Sequence, residues 1–355
     1  MVAQKGVLSR LESYDRENLC IATLCSHTSL QIFNGAKREG FKTLGISVGP
    51  PLKFYDAFPA GKPDEFFIVD RHEDILAKAD ELCEKNVILI PHGSFVEYLG
   101  PENFEKLQVP TFGNRKVLMW ESSRIMERKW LENAGVKMPR LFNRPEDIDR
   151  PVVVKFDGAK GGKGFFIVKN YDEFKKVNPA QKYTIQEYVL GTRYYLHYFY
   201  SPIKEDGYRL SKGSLELLSI DRRDETNIDE MYKLGSQEEL KKLNIYPSFV
   251  VTGNVPLTIR ESLLSEVFDM GEKVVEKSFD LFDGIIGPFC LETIVNDKLE
   301  FTVFEVSARI VAGTNPFISG SPYSDLISPN VSTGRRIAQE ILMANEMDRL
   351  DEVLS

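Results

Sequence analysis

The order of strand and helix patterns constrains the fold most, and this order changes near residue 150. Before that point, short apolar runs alternate with helical patterns. The strand-like runs are residues 19–25, 42–48, 65–70 and 86–94, and the helical patterns include residues 26–40 and 74–86. A strand–helix–strand rhythm predicts an open, largely parallel sheet with ligands beyond the carboxyl ends of its strands. The first third is therefore expected to be an α/β domain.

After residue 150, strand patterns follow one another with little helix between them. They occupy residues 151–156, 164–168, 183–189, 194–201, 213–223 and 248–257. Two later strands, residues 287–296 and 299–308, meet at Asn296–Asp297, which is typical of a hairpin turn. Helices are predicted over residues 116–133, 261–282 and 332–347, the first capped by Asn114 and ended by Gly135. This order predicts antiparallel sheet within a larger α+β domain.

Charge and cysteine content exclude several classes of protein. The 355-residue chain has a formal net charge of −8, which argues against nonspecific attraction to nucleic acid or anionic membranes. Its four cysteines show no metal-type spacing, as expected of a reduced, cytoplasmic protein. The amino-terminal residues lack the apolar core of a signal peptide, and no apolar run approaches a membrane span. We therefore expect a soluble, intracellular protein.

A glycine- and lysine-rich segment, residues 157–164, joins two strand patterns. It does not end in the GK[ST] of a Walker A loop, and it is followed by a strand rather than a helix. Backbone amides freed by glycine, together with two lysines, suit a mobile lid over a polyphosphate. A solvated turn is the alternative, but Lys155 interrupts the apolar strand just before it and favours the phosphate site.

Glu292 and Glu305 each interrupt one of two apolar strands that share a short turn. Neighbouring hairpin strands can place such side chains side by side, where they repel each other unless a cation lies between them. Hard oxygen ligands of this kind suit Mg²⁺ shared with substrate phosphates. A solvated strand face is an equal alternative on this evidence alone.

Two loops of the first domain follow predicted strands and carry hydroxyl and imidazole side chains. The residues are Ser26, His27, Thr28 and Ser29 in one loop and His92 and Ser94 in the other. Amides and hydroxyls at helix starts bind anions, although serines there are often simply N-caps. The histidines could carry protons or ligate, but hydrogen bonding is their commoner role.

These pieces in this order resemble the ATP-grasp superfamily. The resemblance rests on LENAGVKMP (131–139), the lysine-bearing strand, the glycine-rich hairpin, IQEYVLG (185–191), and the late strands with Glu292 and Glu305 followed by Arg309. Longer stretches, such as SHTSLQIFNGAKREGF, VTGNVPLTIRESLL and FEVSARIVAGTNPFISGSPYS, are similar to archaeal formate-dependent synthetases of purine biosynthesis. Those enzymes make 5-formamidoimidazole-4-carboxamide ribonucleotide (FAICAR). The similarity covers nearly the whole chain.

The resemblance implies an α/β plus α+β protein, an ATP-grasp fold with an N-terminal Rossmann-like domain. That N-terminal domain would span residues 1–118 and the ATP-grasp domain residues 119–355. The latter would divide into a nucleotide-clamping subdomain, about residues 119–195, and a C-terminal subdomain, about residues 196–355.

The resemblance also implies roles for individual residues. Glu292 and Glu305 would bind magnesium or manganese, and Arg309 would contact formate or the transferring group. Contacts to the substrate 5-aminoimidazole-4-carboxamide ribonucleotide (AICAR) would come from His27, Ser94 and Asn254. His27 would also act in catalysis, either by taking a proton from the attacking amine or, as we favour, by orienting the substrate. Contacts to ATP would come from Lys155, Gly158, Lys160, Gly161, Gly162, Lys163, Gly164, Gln186, Glu187, Tyr188, Val189 and Glu225. Two positions depart from the superfamily pattern: Ser307 stands where many members have asparagine, and Arg193 where many have an acidic residue.

The implied reaction joins formate to AICAR with ATP, giving FAICAR, ADP and phosphate through formyl phosphate. The enzyme would be a C–N bond-forming ligase, a homo-oligomer, with no nucleic acid or membrane partner. A related ligase with another acid or amine is the nearest alternative. A nucleotide-binding module without catalysis is less favoured, because the carboxylate pair and Lys155 are all present. A nicotinamide-dependent dehydrogenase is excluded, because CSHTSL stands where GxGxxG would follow the first strand.

Overall fold

The computed structural model describes residues 5–156, 165–177, 182–225, 242–243 and 250–355. The strands are β1 Cys20–Leu24, β2 Lys42–Val48, β3 Glu65–Val69, β4 Val87–Leu89, β5 Leu141–Phe142, β6 Val152–Phe156, β7 Phe165–Val168, β8 Tyr183–Glu187, β9 Thr192–Ser201, β10 Tyr208–Arg209, β11 Ser214–Glu225, β12 Val251–Pro256, β13 Gly287–Val295 and β14 Phe301–Ser307.

The α-helices are α1 Lys5–Glu12, α2 Ser29–Arg38, α3 Asp74–Ala77, α4 Ala79–Glu84, α5 Pro101–Lys106, α6 Lys116–Ser122, α7 Arg124–Asn133, α8 Tyr171–Val177, α9 Leu264–Phe282, α10 Ser324–Ile327, α11 Thr333–Glu346 and α12 Leu350–Val353. Among the described residues, no helix has both the length and the apolar character needed to span a membrane.

The first sheet is parallel, as the sequence pattern predicts, with strand order β3-β2-β1-β4. β1 is buried along its whole length, which explains its continuous apolar run. The loop after β1 leads into α2 and the loop after β4 carries the PHGS sequence. Both candidate loops therefore lie at the carboxyl edge of this sheet.

The second half contains two antiparallel sheets, also as predicted. The larger, six-stranded sheet has the order β10-β11-β9-β13-β14, with β12 paired to β11. A four-stranded sheet has the order β5-β8-β6-β7 and carries Lys155. The glycine-rich segment that follows β6, residues 157–164, lies outside the described residues. We propose the domain boundaries at residue 118 and about residue 195 on the sequence resemblance.

The helix predicted over residues 116–133 is wrong in one respect, because the structure divides it at Ser123. This residue has an extended backbone (φ −99°, ψ 106°), and its side chain accepts a hydrogen bond from the Met126 amide, so it caps a new helix. Asn114 does bond to the Lys116 amide, but its amide group also donates to the carbonyls of Phe282 and Gly284. The segment is therefore α6, a corner, and α7.

Helices α2 and α11 join the first sheet to the rest of the protein. They touch at glycines: a Cβ added at Gly35 would lie 2.2 Å from the Arg335 backbone nitrogen, and one at Gly334 would lie 2.4 Å from the Gln31 carbonyl oxygen. The buried Gln31 side chain also bonds to the Thr314 carbonyl and the Gly334 amide. This contact fixes the loop before α2 relative to the large sheet.

We expect Gly35→Ala to destabilise the protein by about 3 kcal/mol, because the new methyl group meets backbone rather than a movable side chain. Chemical denaturation measures the change. Gly6→Ala is the matched control: it also lies in a helix, but its Cβ would meet only the end of the Gln108 side chain. Equal stability of the two variants would contradict this description of the α2–α11 contact.

Candidate active site

One face of the six-stranded sheet is polar and carries most of the predicted site residues. Register pairs place Glu292 opposite both Tyr195 and Glu305, Tyr195 opposite Asp221, and Arg223 opposite Asn254. Side chains two residues apart on a strand share a face. The face therefore presents Arg193, Tyr195, His197, Asp221, Arg223, Glu225, Asn254, Cys290, Glu292, Glu305 and Ser307.

Glu292 and Glu305 stand side by side across the β13–β14 pair, as the hairpin pattern predicts. Burial and the charge of Glu305 raise the pKa of Glu292 to about 8. Solvent reaches Glu305, but the protein around it, together with the Glu121 charge, also raises its pKa. Carboxylates that are costly to ionise side by side are a donor set that fits a divalent cation.

The described residues offer this pair no further acidic, histidine or cysteine ligand, since no group of three such side chains is arranged to hold a metal ion. Ser307 lies two residues beyond Glu305 on the same face, opposite Cys290. A cation between the two glutamates would therefore need additional oxygens from water or a bound phosphate.

Positive side chains approach the glutamate pair from separate elements. Arg223 Nη1 on β11 lies 3.3 Å from Glu292 Oε1, and the Arg223 guanidinium also covers the Tyr195 ring, 3.7 Å from its centroid. Lys155 on β6 donates to Gln186 Oε1 at 3.1 Å. Burial and the Arg124 charge lower the pKa of Lys155, while the Glu305 charge opposes this shift. Lys155 thus faces the same site from another sheet.

The predicted hinge residues lie at the end of β8 and just after it. The backbone N–H of Glu187 donates to the Arg140 carbonyl, and that of Tyr188 donates to the Pro151 carbonyl. The Glu187 carboxylate pairs with Arg150 at 3.0 Å. Any adenine contact from Glu187 or Tyr188 would therefore come from groups other than these N–H groups, and Val189 follows directly.

Glu225 and Arg193 form an ion pair, with 2.7 Å between Oε1 and Nη1. Burial raises the pKa of Glu225, and the Arg193 charge acts against that rise. The arginine that departs from the superfamily pattern is thus a direct partner of a predicted nucleotide contact. Six residues predicted to hold ATP lie outside the described residues: Gly158, Lys160, Gly161, Gly162, Lys163 and Gly164.

The two loops of the first sheet meet each other and the segment after β14. Ser94 Oγ donates to Ser26 Oγ at 2.8 Å, and His92 pairs with Ile310 in a parallel bridge. A Cβ added at Gly93 would lie 2.9 Å from His27 Nε2 and 3.5 Å from Arg309 Cζ. His27, Ser94 and Arg309 are therefore brought to one place, although they are far apart in sequence.

The Ser/Thr sequence before α2 is typical of a helix cap, but this prediction is wrong, because no side chain caps α2. Thr28 precedes the helix with a left-handed backbone (φ 72°) and makes no side-chain cap; its hydroxyl lies 2.7 Å from His27 Nδ1 instead. A non-glycine residue in this conformation is strained by about 1 kcal/mol or more, which often marks a functional loop. Thr28 thus orients the His27 ring.

Asn254 lies on β12 beside Arg223. Its amide group contacts the Ala312 carbonyl at 3.5 Å, and its buried Oδ1 accepts no hydrogen bond from any described residue. A buried acceptor without a partner is costly, so a donor on a ligand would fit here.

Two acidic residues of the site were missed by the sequence analysis. Glu121 on α6 pairs with Arg309 at 2.7 Å, and Glu127 on α7 accepts a bond from the Val306 amide at 2.7 Å. Burial and the Glu305 charge raise the pKa of Glu127 to about 9. Both residues lie within the single helix predicted over residues 116–133, and that pattern carried no signal for a role of either carboxylate.

Family models match both halves of the chain. One, described as "Domain of unknown function (DUF1297)", matches residues 172–355, and another, described as "Protein of unknown function (DUF1246)", matches residues 21–142. A relative from Methanothrix thermoacetophila, named 5-formaminoimidazole-4-carboxamide-1-(beta)-D-ribofuranosyl 5'-monophosphate synthetase, is 63% identical over 356 residues and 100% of both chains. A relative of the same name from Methanocaldococcus jannaschii is 44% identical over 374 residues, again with 100% of both chains covered.

The chain belongs to this synthetase family. The crystal structure of an IMP biosynthesis protein PurP from Thermococcus kodakaraensis is similar, with a TM-score of 0.72, 30% identity, and coverage of 94% of this chain and 100% of that one. An ADP complex of purK, N5-carboxyaminoimidazole ribonucleotide synthetase, has a TM-score of 0.59 and 14% identity over 91% of this chain and 76% of that one, and so shows the fold alone. The predicted ATP-grasp fold is confirmed.

The buried His92 ring provides a test of the geometry of the loop after β4. Its Nδ1 accepts from the Ser94 amide and its Nε2 faces the Leu24 carbonyl, so the ring is neutral. Burial lowers the pKa of His92 to about 3, and burial with the Arg309 charge lowers that of His27 to about 4. Unfolded histidines take up protons near pH 6.5, so the unfolded state binds more protons and stability falls as pH falls from about 6.5 to 4.

We expect His92→Gln to reduce this acid sensitivity, making the stability loss between pH 6.5 and 5 smaller by about 1–2 kcal/mol. Denaturation curves at several pH values measure it. Ser94→Ala is the matched control, because it removes a hydroxyl from the same loop without removing a titrating group. Parallel stability–pH curves for wild type and His92→Gln would rule out a buried neutral His92.

Proposed function

We propose that the chain catalyses the ATP- and formate-dependent formylation of AICAR to FAICAR in IMP biosynthesis, with release of ADP and phosphate. The observation that carries the proposal is the meeting of Arg309, four residues beyond Glu305, with the His27 and Ser94 loops. The side of the site with the carboxylates and Lys155, which we assign to the nucleotide, thereby adjoins loops that carry neutral polar groups. Full-length relatives named for FAICAR synthesis support the same conclusion.

The chemistry explains why such a site needs charge more than a protein nucleophile. Formate acylates poorly, because oxide would have to leave. Attack of a formate oxygen on the γ-phosphorus releases ADP and gives formyl phosphate; attack of the AICAR amine on the formyl carbon then releases phosphate, and the amine loses a proton. Stabilising the charge that develops in these steps is the main task of the protein. Lys155 and Arg309 are the side chains we assign to it.

Glu292 and Glu305 would hold Mg²⁺ or Mn²⁺, which when bound would neutralise phosphate charge. Their position opposite each other and their raised pKa values support this assignment. Ser307 would not replace the asparagine ligand of other superfamily members directly, so phosphate and water oxygens would complete the shell. The chain's own part is to present two carboxylates that are costly to ionise without a cation.

His27, Ser94 and Asn254 would contact AICAR, and the lowered pKa of His27 defines its role. A ring with a pKa of about 4 is neutral at physiological pH and is a weak base. We therefore assign His27 to orienting the substrate rather than to accepting its proton. The Oδ1 of Asn254, which accepts no hydrogen bond from the described residues, would accept one from the substrate.

We predict that ADP formation by the purified protein requires formate and AICAR together. The measurement is a coupled ADP assay in which each substrate is left out in turn, with FAICAR identified by mass spectrometry. Turnover with AICAR and a different acid, or with formate and a different amine, would instead support a related ligase. ATP binding without any turnover would support a nucleotide-binding module.

We predict that Glu305→Gln lowers kcat at least about 100-fold, because it removes half of the cation-binding charge while keeping the side-chain shape. Glu300→Gln is the matched control: Glu300 precedes the same strand but is exposed and pairs only at the surface, with Lys137 and Asn296. Its activity should stay near that of wild type, since surface pairs contribute little. Near-normal turnover by Glu305→Gln would remove the metal assignment.

A further inference from the structure

The outer edge of β14 is covered by acidic side chains. This strand ends the six-stranded sheet, and its inner edge pairs with β13. On the outer edge, the Val306 amide donates to Glu127 Oε1 at 2.7 Å and the Ala308 amide donates to Glu121 Oε2 at 2.8 Å. An edge strand with open N–H groups needs such partners. The strand that carries Glu305 is therefore held in place from α6 and α7.

The corner at Ser123 makes this arrangement possible. On one continuous helix, residues six apart point about 120° away from each other, so Glu121 and Glu127 would not face the same strand. The extended backbone of Ser123 separates α6 from α7 and allows both side chains to reach β14. The break thus places two carboxylates on alternate amides of one strand.

Glu121 differs from Glu127 because it makes a second contact. Its Oε1 lies 2.7 Å from Arg309 Nη2, and the Glu121 and Arg309 side chains are only 9% and 16% exposed. Glu121 therefore binds both the backbone just before Arg309 and the guanidinium itself. Shielded, charge-assisted bonds of this kind fix geometry more firmly than surface pairs do.

The position of the Arg309 guanidinium explains why its order matters. Its guanidinium lies beside Gly93, where an added Cβ would be 3.5 Å from Arg309 Cζ and 2.9 Å from His27 Nε2. A free arginine side chain has many rotamers, and ordering it during the reaction would cost about 2 kcal/mol. The bond to Glu121 orders the Arg309 side chain before the reaction begins.

We propose that Glu121 is a positioning residue of the reaction: it holds the Arg309 guanidinium between the Glu292–Glu305 pair and the His27 loop. Glu127, by contrast, supports only the backbone of β14. This inference rests on the proposed function for the identity of the reaction. The coupling between Glu121 and Arg309 does not depend on that identity. It predicts that Glu121 acts through Arg309, so the two residues should not contribute independently.

A double-mutant cycle tests this coupling. We expect Glu121→Gln and Arg309→Ala each to lower kcat by about tenfold or more, and the double variant to be no slower than Arg309→Ala. The matched cycle uses Glu127→Gln, which replaces the other carboxyl group that bonds to β14 and leaves the Glu121–Arg309 pair in place; its effect should multiply with that of Arg309→Ala to within about twofold. Thermal unfolding of each variant separates loss of activity from loss of stability.

Multiplying effects of Glu121→Gln and Arg309→Ala, or a Glu121→Gln variant with wild-type kcat, would overturn the inference. If Glu121→Gln does not fold, Glu121→Asp retains the charge but withdraws it by one methylene, and wild-type kcat in that variant would also overturn it. The wild-type assay with each substrate omitted is run first. If wild type prefers another acid or amine, the proposed function fails, and the cycle measured with those substrates still tests Glu121.

Discussion

Negative charges that repel each other in a shielded place are the constraint on which the site depends. Glu292, Glu305 and Glu127 all have raised pKa values. Burial is the first cause for Glu292 and Glu127, whereas for Glu305, which solvent reaches, it is the surrounding protein together with the Glu121 charge. Cationic side chains from different elements offset the charge of these carboxylates: Arg223 from β11, Arg309 after β14 and Lys155 from the smaller antiparallel sheet. The charges balance only when all these elements have their native positions. Electrostatics therefore couples these elements to one another.

The same balance explains how ligands could be recognised by charge alone. Without a bound cation, the carboxylate pair is costly to ionise. Because a cation binds the ionised carboxylates, its affinity for the pair rises as the pair loses protons. On the other side of Arg309, the histidines are neutral because they are buried. The site thus changes from strongly charged to neutral and polar over a short distance, in accord with the proposed binding of ATP phosphates on one side and of AICAR on the other.

Sequence patterns predicted the parts of the fold that local rules determine. Glu292 and Glu305 could be placed on neighbouring strands because a short turn joins the two runs, although a register shift between Glu292 and Thr293 brings them directly opposite each other. The parallel sheet followed from its strand–helix rhythm. Glu121 and Thr28 could not be predicted. The break at Ser123 allows Glu121 to bond to the backbone at the end of β14, almost 200 residues later. The Thr28 side chain does not cap its helix and contacts His27 instead. Glu121 depends on a distant partner that no local pattern contains, and Thr28 on a left-handed backbone that its residue type does not indicate.

The contact between α2 and α11 also bears on how the chain folds. Late residues pack against the first domain: Leu354 pairs with Phe112, and Gly334 lies against Gln31 of α2. During synthesis, the strands β1–β4 emerge long before these partners exist. The early segment must therefore wait, partly unpacked, for residues more than 200 positions downstream, which makes folding slow and exposes apolar surface.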